Sequence, residues 1–273
     1  MRGPGIGLVA TDLDGTFWDR DGRVHPRTAA AVATLGERGV PVLAVTGRRH
    51  ATAAPLLRAA GVPVAATVCL DGAIGREGVD GEVFHRDPLP PGRVGELLAV
   101  CREAGVEPCA VVDAPDRDLF VGARPTTHPD HLAANQGRVR RCGDLADALA
   151  RRVVLSLVVC GGDPGPLGRL AARVEGLAQA SLTRDTVHGG AALSLRRPGT
   201  GKWRAVAAYC ARAGLDPGRV LALGDGANDL DLLAHAAVAL VPEGADPGAL
   251  ALATRTVPGP ERGGWAALLG VLR

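Results

Sequence analysis

Short, unbroken apolar runs that end in polar or charged turn residues recur along this chain. Ile6-Gly-Leu-Val-Ala10 ends in carboxylates, Val40-Pro-Val-Leu-Ala-Val45 ends in Thr46-Gly47-Arg48, and Arg219-Val-Leu-Ala-Leu-Gly224 ends in Asp225-Gly226. Runs of this length without alternation predict strands buried on both faces of a parallel sheet. Between the first two, Ala30, Val32, Ala33 and Leu35 recur at near-helical spacing over Pro26 to Arg38, and Gly36 and Gly39 mark the exit, which gives a βαβ unit. Near the C-terminus a helical Lys202 to Arg212 segment precedes the Arg219 run, and a second helix is predicted from Asn228 to His235.

The middle of the chain follows a different pattern. Short strands at Pro108 to Val112 and Val153 to Cys160 mix with helices at Arg93 to Glu103 and Leu167 to Glu175. Turn pairs flank it, Asp71-Gly72 and Asp80-Gly81 before, His188-Gly-Gly190 and Pro198-Gly199 after. The predicted organisation is a parallel-sheet core from residues 1–78 and 191–273, interrupted by an α+β domain over 79–190. A chain of 273 residues has ample length for two unequal domains.

Composition narrows the function classes. Hydrophobic residues at 47% and charged residues at 22% mark a folded chain. Aromatics at 3% leave few rings to stack on bases, and 31 basic against 29 acidic residues give no field for a polyanion, so no nucleic-acid partner is expected. The six cysteines are scattered without a C-x-x-C pair, as expected of free thiols in a reducing compartment. No apolar run approaches the roughly 18 residues of a membrane helix, and polar residues come too early for a secretory leader. These features imply a cytoplasmic protein with no membrane partner.

The candidate chemistry sits where the apolar runs end. Asp12-Leu13-Asp14-Gly15-Thr16 brings two carboxylates to the end of a strand, the position where ligands gather in open α/β sheets. Gly224-Asp225-Gly226-Ala227-Asn228-Asp229 adds two more and an amide after another strand. Taken singly, the first is a turn and the second a helix cap. If the two strands are parallel neighbours, Asp12, Asp14 and Asp225 converge on one divalent-metal site, and hard carboxylate oxygens suit Mg2+. Thr46-Gly47-Arg48 offers a hydroxyl and turn amides to phosphate oxygens, and Lys202 opens a helix after Gly199-Thr-Gly201.

Taken together and in this order, the four segments resemble the motifs of the haloacid dehalogenase-like hydrolases, particularly the Cof-type, subfamily IIB branch that includes mannosyl-3-phosphoglycerate and sugar-phosphate phosphatases. The likeness spans Ile6 to about Asp87 and Leu193 to the end, where Gly263-Gly264-Trp265-Ala-Ala-Leu268 is similar to the family's closing helix. The resemblance implies a Rossmann-like α/β core with an inserted C2B-type cap. It also implies Mg2+-dependent hydrolysis of a small phosphate monoester, a sugar phosphate or phosphoglycerate derivative. Asp12 would be the nucleophile and form an aspartyl-phosphate, and Asp14 the acid and base. Mg2+ would be held by Asp12, the backbone carbonyl of Asp14 and Asp225, with Asp229 behind them. Thr46, Gly47, Arg48, Asn228 and Lys202 would bind phosphate, Lys202 also serving catalysis. A phosphomutase sharing the intermediate and a non-catalytic phosphometabolite-binding protein are the alternatives.

Two departures from the family pattern stand out. Asp71 occupies a position where relatives usually carry Asn; it either forms the turn at the domain junction or contacts a hydroxyl or amine of the substrate. Phe17-Trp18 replaces commoner aliphatic residues and either packs or touches substrate. In the cap, Arg117, Arg124, His128, His131, Arg184 and His188 are candidates for reading the rest of the substrate.

Overall fold

The fully apolar runs become the central strands of the first of two compact units, one formed by the chain through Arg86 and again from Gly201, the other by Asp87–Thr200. The structure is a computed structural model and describes residues 5–185 and 187–272. The first unit opens with β1 (Leu8–Thr11), α1 (Pro26–Glu37), β2 (Val42–Val45), α2 (His50–Ala60) and β3 (Ala66–Cys69), followed by the hairpin strands β4 (Ile74–Glu77) and β5 (Val83–Arg86). Every residue of β1, β2 and β3 is buried, as strands covered on both faces must be.

The second unit contains α3 (Pro91–Glu103), β6 (Cys109–Val112), β7 (Leu119–Val121), α4 (Pro129–Ala134), β8 (Val139–Arg141) and α5 (Leu145–Leu149). It continues through β9 (Val154–Gly162), α6 (Pro164–Arg173), β10 (Gln179–Arg184) and β11 (Ala191–Arg196). The chain then rejoins the first unit with α7 (Lys202–Ala213), β12 (Val220–Leu223), α8 (Leu230–His235), β13 (Val238–Pro242), α9 (Pro247–Leu252) and β14 (Arg255–Val257). Among the described residues no helix is long and apolar enough to cross a membrane.

Strands of the first unit form one sheet in the order β14-β13-β12-β1-β2-β3-β4-β5, parallel through β3 and antiparallel at β4 and β5. β1 lies between β2 and β12, so the order reverses there and the carboxyl ends of those strands open a crevice. Leu8, Ala10, Leu43, Val45, Val220 and Ala222 line one face of the sheet and pack on Val206, Cys210, Leu232 and Leu233 of the helices. The second unit has its own six-stranded sheet, β10-β11-β9-β6-β7-β8, whose core includes Leu97, Leu98, Phe120, Leu157, Leu170 and Leu193.

The unit boundaries fall at 86/87 and 200/201, while the apolar pattern suggested 78/79 and 190/191. Sheet pairing explains the difference. The hairpin β4–β5 extends the first unit's sheet through Arg86, and β11 pairs with β9 and β10 in the second. The two ends of the second unit are tied together at Asp87, which accepts from Thr200 Oγ1 and Arg197 Nη1, both at 2.8 Å. The predicted closing helix is a 3-10 helix at Gly264–Gly270. The helix predicted from Asn228 begins as a 3-10 turn, Ala227–Asp229.

Candidate active site

The strand ends at the sheet's reversal bring the separated acidic segments together. Asp12 N donates to Leu223 O at 2.8 Å, so the β1–β12 ladder carries one residue beyond the strand and sets Asp12 beside the Gly224-Asp225 turn. On the other side Thr46 N donates to Val68 O at 2.8 Å, which fixes the Thr46-Gly47-Arg48 turn at the end of β2. Gly15 has φ +78, and a Cβ there would stand 2.5 Å from Asp225 Oδ2, so only glycine lets the first loop approach that carboxylate. Thr16 Oγ1 donates to Asp225 Oδ1 at 2.8 Å and locks the two loops together.

Carboxylate oxygens of Asp12, Asp225 and Asp229 lie within 4.8 Å of one another. Lys202, at 0% exposure, is packed against them, its Nζ donating to Asp12 Oδ1 at 2.5 Å and Asp229 Oδ1 at 2.6 Å. Asp229 Oδ2 accepts from the amides of Asp225 and Gly226 at 3.1 and 2.9 Å. Both its oxygens are therefore committed to holding the lysine and the loop, while Asp12 and Asp225 each keep an oxygen with no side-chain hydrogen bond among the described residues.

The charge balance of this cluster is unfavourable as it stands. Burial, with Asp229 and Asp225 alongside, pushes the Asp12 carboxyl well up, against the pull of the Lys202 ammonium. Burial likewise pushes Asp225 up to about 6. Burial opposes the charge on Lys202, but the attraction of Asp12 and Asp229 outweighs it and holds the ammonium above its ordinary range. Three carboxylates face one ammonium, so full ionisation would leave two negative charges uncompensated. Their all-oxygen donors and that residual charge fit a hard divalent cation.

Asp14 lies apart from the cluster. Its side chain is 47% exposed, and Arg48 grips it with both arms, Nε to Oδ2 and Nη2 to Oδ1, each at 2.6 Å. The indole Nε1 of Trp18 also donates to Oδ1, at 3.0 Å. Partial burial pushes this carboxyl up, but hydrogen bonds from Arg48 and Trp18 outweigh it and keep it below the usual carboxylate range. Its side chain thus lies outside the Asp12, Asp225 and Asp229 donor set. The Arg48 guanidinium, expected on phosphate, is engaged by Asp14.

Thr46, Gly47 and Asn228 meet around Asp71. Asn228 Nδ2 donates to Asp71 Oδ1 at 2.8 Å, and a Cβ on Gly47 would stand 2.9 Å from the same oxygen. Asp71 itself sits at φ 49, ψ 39, a left-handed conformation that Asp tolerates better than most residues. It thus forms the turn and also brings a carboxylate to Gly47 and Asn228. The Thr46 hydroxyl accepts from Arg48 N at 3.1 Å.

Two supporting residues were not singled out in the sequence. Asp231 Oδ2 accepts from Trp203 N at 3.0 Å and so caps the first turn of α7, the helix that presents Lys202. Thr16 bridges the loops as described above. The D-x-D-G-T segment contained the signal for Thr16; Asp231 looked like any acid in a helix's first turn. In the second unit, the rings of His128 and His131 each lie about 5.5 Å from His188, with centroid separations of 5.5 and 5.4 Å. Arg117 and Arg124 line separate cavities of about 1010 and 510 Å³.

Residues 9–269 match the haloacid dehalogenase-like hydrolase family. The pyridoxal phosphate phosphatase YbhA of Escherichia coli is 28% identical over 121 residues, 44% of this chain, and the chain spans only 43% of that relative's length. A phosphoglycolate phosphatase of Methanoculleus marisnigri is 29% identical over 84% of this chain and 81% of its own. Among solved structures, the subclass IIB sugar phosphatase BT4131 has the same fold, with a TM-score of 0.75 at 17% identity, covering 97% of this chain and 99% of that one.

Proposed function

Because the chain belongs to the haloacid dehalogenase-like hydrolases, we propose that it is a Mg2+-dependent phosphatase that moves the phosphoryl group of a small phosphate monoester first to Asp12 and then to water. The observation that carries this reading is the buried Asp12–Lys202–Asp229 chain beside Asp225, because it combines a nucleophile, a fixed cation and a divalent-metal donor set at one strand end. The substrates named for the two relatives, pyridoxal phosphate and phosphoglycolate, are both small phosphate monoesters. A sugar phosphate or phosphoglycerate derivative is the substrate class we favour.

In the first half-reaction an Asp12 carboxylate oxygen bonds to phosphorus as the bond to the leaving oxygen breaks, and Asp14 gives its proton to that oxygen. In the second, Asp14 takes a proton from water, the resulting hydroxide bonds to phosphorus, and the bond to Asp12 breaks, releasing inorganic phosphate. Lys202 holds Asp12 in place and offsets charge on the transferring group. Thr46, the Gly47 amide and Asn228 would hold the equatorial oxygens, the positioning on which phosphoryl transfer chiefly depends. Mg2+, held by Asp12, Asp225 and the Asp14 carbonyl with Asp229 behind, would supply charge neutralisation between carboxylate and phosphate.

The test is a phosphate-release screen over sugar phosphates, phosphoglycerates, phosphoglycolate, pyridoxal phosphate and nucleotides. Inorganic phosphate is expected to appear with the free alcohol, and chelation by EDTA is expected to stop it. An isomeric phosphate ester without free phosphate would mark a mutase, and no turnover on any ester would mark a binding protein; either result sinks the proposal. A second expectation comes from Asp225, which is raised to about 6 by burial. A proton and the metal compete for that carboxylate, so the Mg2+ concentration for half-maximal activity should climb as pH falls through about 6. A requirement for Mg2+ that stays flat between pH 5 and 8, as titrated by activity, removes Asp225 from the metal site.

A further inference from the structure

Trp18 is drawn into the site, and the reaction above gives it no role. Its ring is fully buried, yet its Nε1–H reaches Asp14 Oδ1 at 3.0 Å. The residue is also held in place. Trp18 N donates to Leu13 O at 3.1 Å, and Trp18 O accepts from Gly15 N at 3.2 Å, so the loop that carries Asp14 is closed on Trp18 from both sides. Phe17 meets the indole edge-on at 6.2 Å and packs perpendicular to Trp265 at 5.3 Å, and Trp265 Nε1 donates to Thr11 Oγ1 at 2.9 Å. An aromatic stack rooted in β1 thus fixes the indole.

Arg48, the other partner of Asp14, differs in kind. It is a long side chain with 38% of its surface exposed, free to change partners, whereas the buried indole has nowhere to go. An indole N–H only donates. Trp18 Nε1 and Arg48 Nη2 both donate to Oδ1 and take its two lone pairs, whereas Oδ2 accepts from Arg48 Nε alone, so the lone pair open to a proton is on Oδ2. Arg48 Nε takes the other lone pair of Oδ2, from a half-exposed side chain that can give it up. The buried indole is the fixed partner of Oδ1.

We propose that Trp18 is the positioning residue of Asp14, its indole N–H fixing Oδ1 so that Oδ2 is the oxygen that gives the proton to the leaving group and takes one from water. The proposal rests on Asp14 being the acid and base, so its test separates the two ideas. The quantity to measure is kcat/KM, which covers the steps through departure of the leaving group. Wild type, Trp18→Phe, Phe17→Leu and Asp14→Asn are each assayed with p-nitrophenyl phosphate, whose leaving group departs without a proton, and with an alkyl phosphate, whose leaving oxygen needs one.

Trp18→Phe keeps the aromatic stack and loses only the N–H. It should lower kcat/KM on the alkyl ester by about ten- to a hundredfold, the range for a lost hydrogen bond to a charged group, and on the aryl ester by about tenfold less. Phe17→Leu, which loosens the same stack without touching Asp14, should lower both esters alike. Equal losses on the two esters in Trp18→Phe, while Asp14→Asn still discriminates between them, overturn the assignment of Trp18. An Asp14→Asn variant that does not discriminate overturns the reading of Asp14 itself. Should Trp18→Phe fold poorly, 3-benzothienylalanine at position 18 keeps the bicyclic shape without the N–H; the same discrimination is expected of it, and its absence overturns the proposal.

Discussion

Asp12→Asn is expected to abolish phosphate release, leaving activity at least about 10⁴-fold below wild type on every ester. The amide has nearly the shape of the carboxylate, and its oxygen can still accept from Lys202 Nζ, so the loss would be chemical and not structural. The stability of the variant makes the expectation sharper. Burial and the neighbouring carboxylates push Asp12 well above its ordinary range, which means that its ionised form is costly to hold in the fold. Removing that charge should leave the melting temperature unchanged or raised. A variant that is inactive yet at least as stable as wild type identifies a group kept for its chemistry. Substantial phosphate release by Asp12→Asn would falsify the nucleophile assignment and point to direct attack by water.

The largest effect on stability is expected at Lys202. Replacing it with Met keeps a long apolar stem but leaves Asp12 and Asp229 facing each other at 0 to 8% side-chain exposure with no ammonium between them. Breaking a buried ion pair by removing one partner costs about 3–5 kcal/mol, and urea unfolding at neutral pH should register a loss of that size. The pH dependence follows from the sign of the linkage. Without the ammonium the Asp12 carboxyl is raised further in the folded protein, so the fold binds more protons than the unfolded chain at mildly acidic pH. The deficit should therefore shrink as pH falls towards that range and grow as it rises to neutrality. Mg2+ should also recover part of it, because a divalent ion supplies the missing charge. A Lys202→Met variant within about 1 kcal/mol of wild type, indifferent to pH and Mg2+, is incompatible with this account.

Much of the scaffold was legible in the chain. The Ile6, Val40 and Arg219 runs are continuous and apolar because their strands are covered on both faces, and that pattern is local. The helices at Pro26–Glu37, Pro91–Glu103 and Lys202–Ala213 also followed their spacing to within about two residues. The short strands Leu119–Val121 and Val139–Arg141 did not emerge, since three residues carry no period, and the second is half-exposed and basic at the sheet edge.

By itself, then, the sequence determined which residue types stand at which strand ends: the acids of Asp12 and Asp225, the hydroxyl of Thr46 and the amine of Lys202 at the head of its helix. Tertiary structure alone decided who partners whom. Thr16 and Asp225 are separated by 209 positions and become neighbours only because β12 inserts beside β1. Arg48 turns to Asp14, Asp71 bends back to Asn228, and the N–H of a fully buried Trp18 emerges at the catalytic loop. Hydrophobic periodicity records whether a position is buried, which depends on its own neighbours along the chain. Hydrogen-bond partners depend on strand order and loop closure, and these are settled by packing the whole sheet.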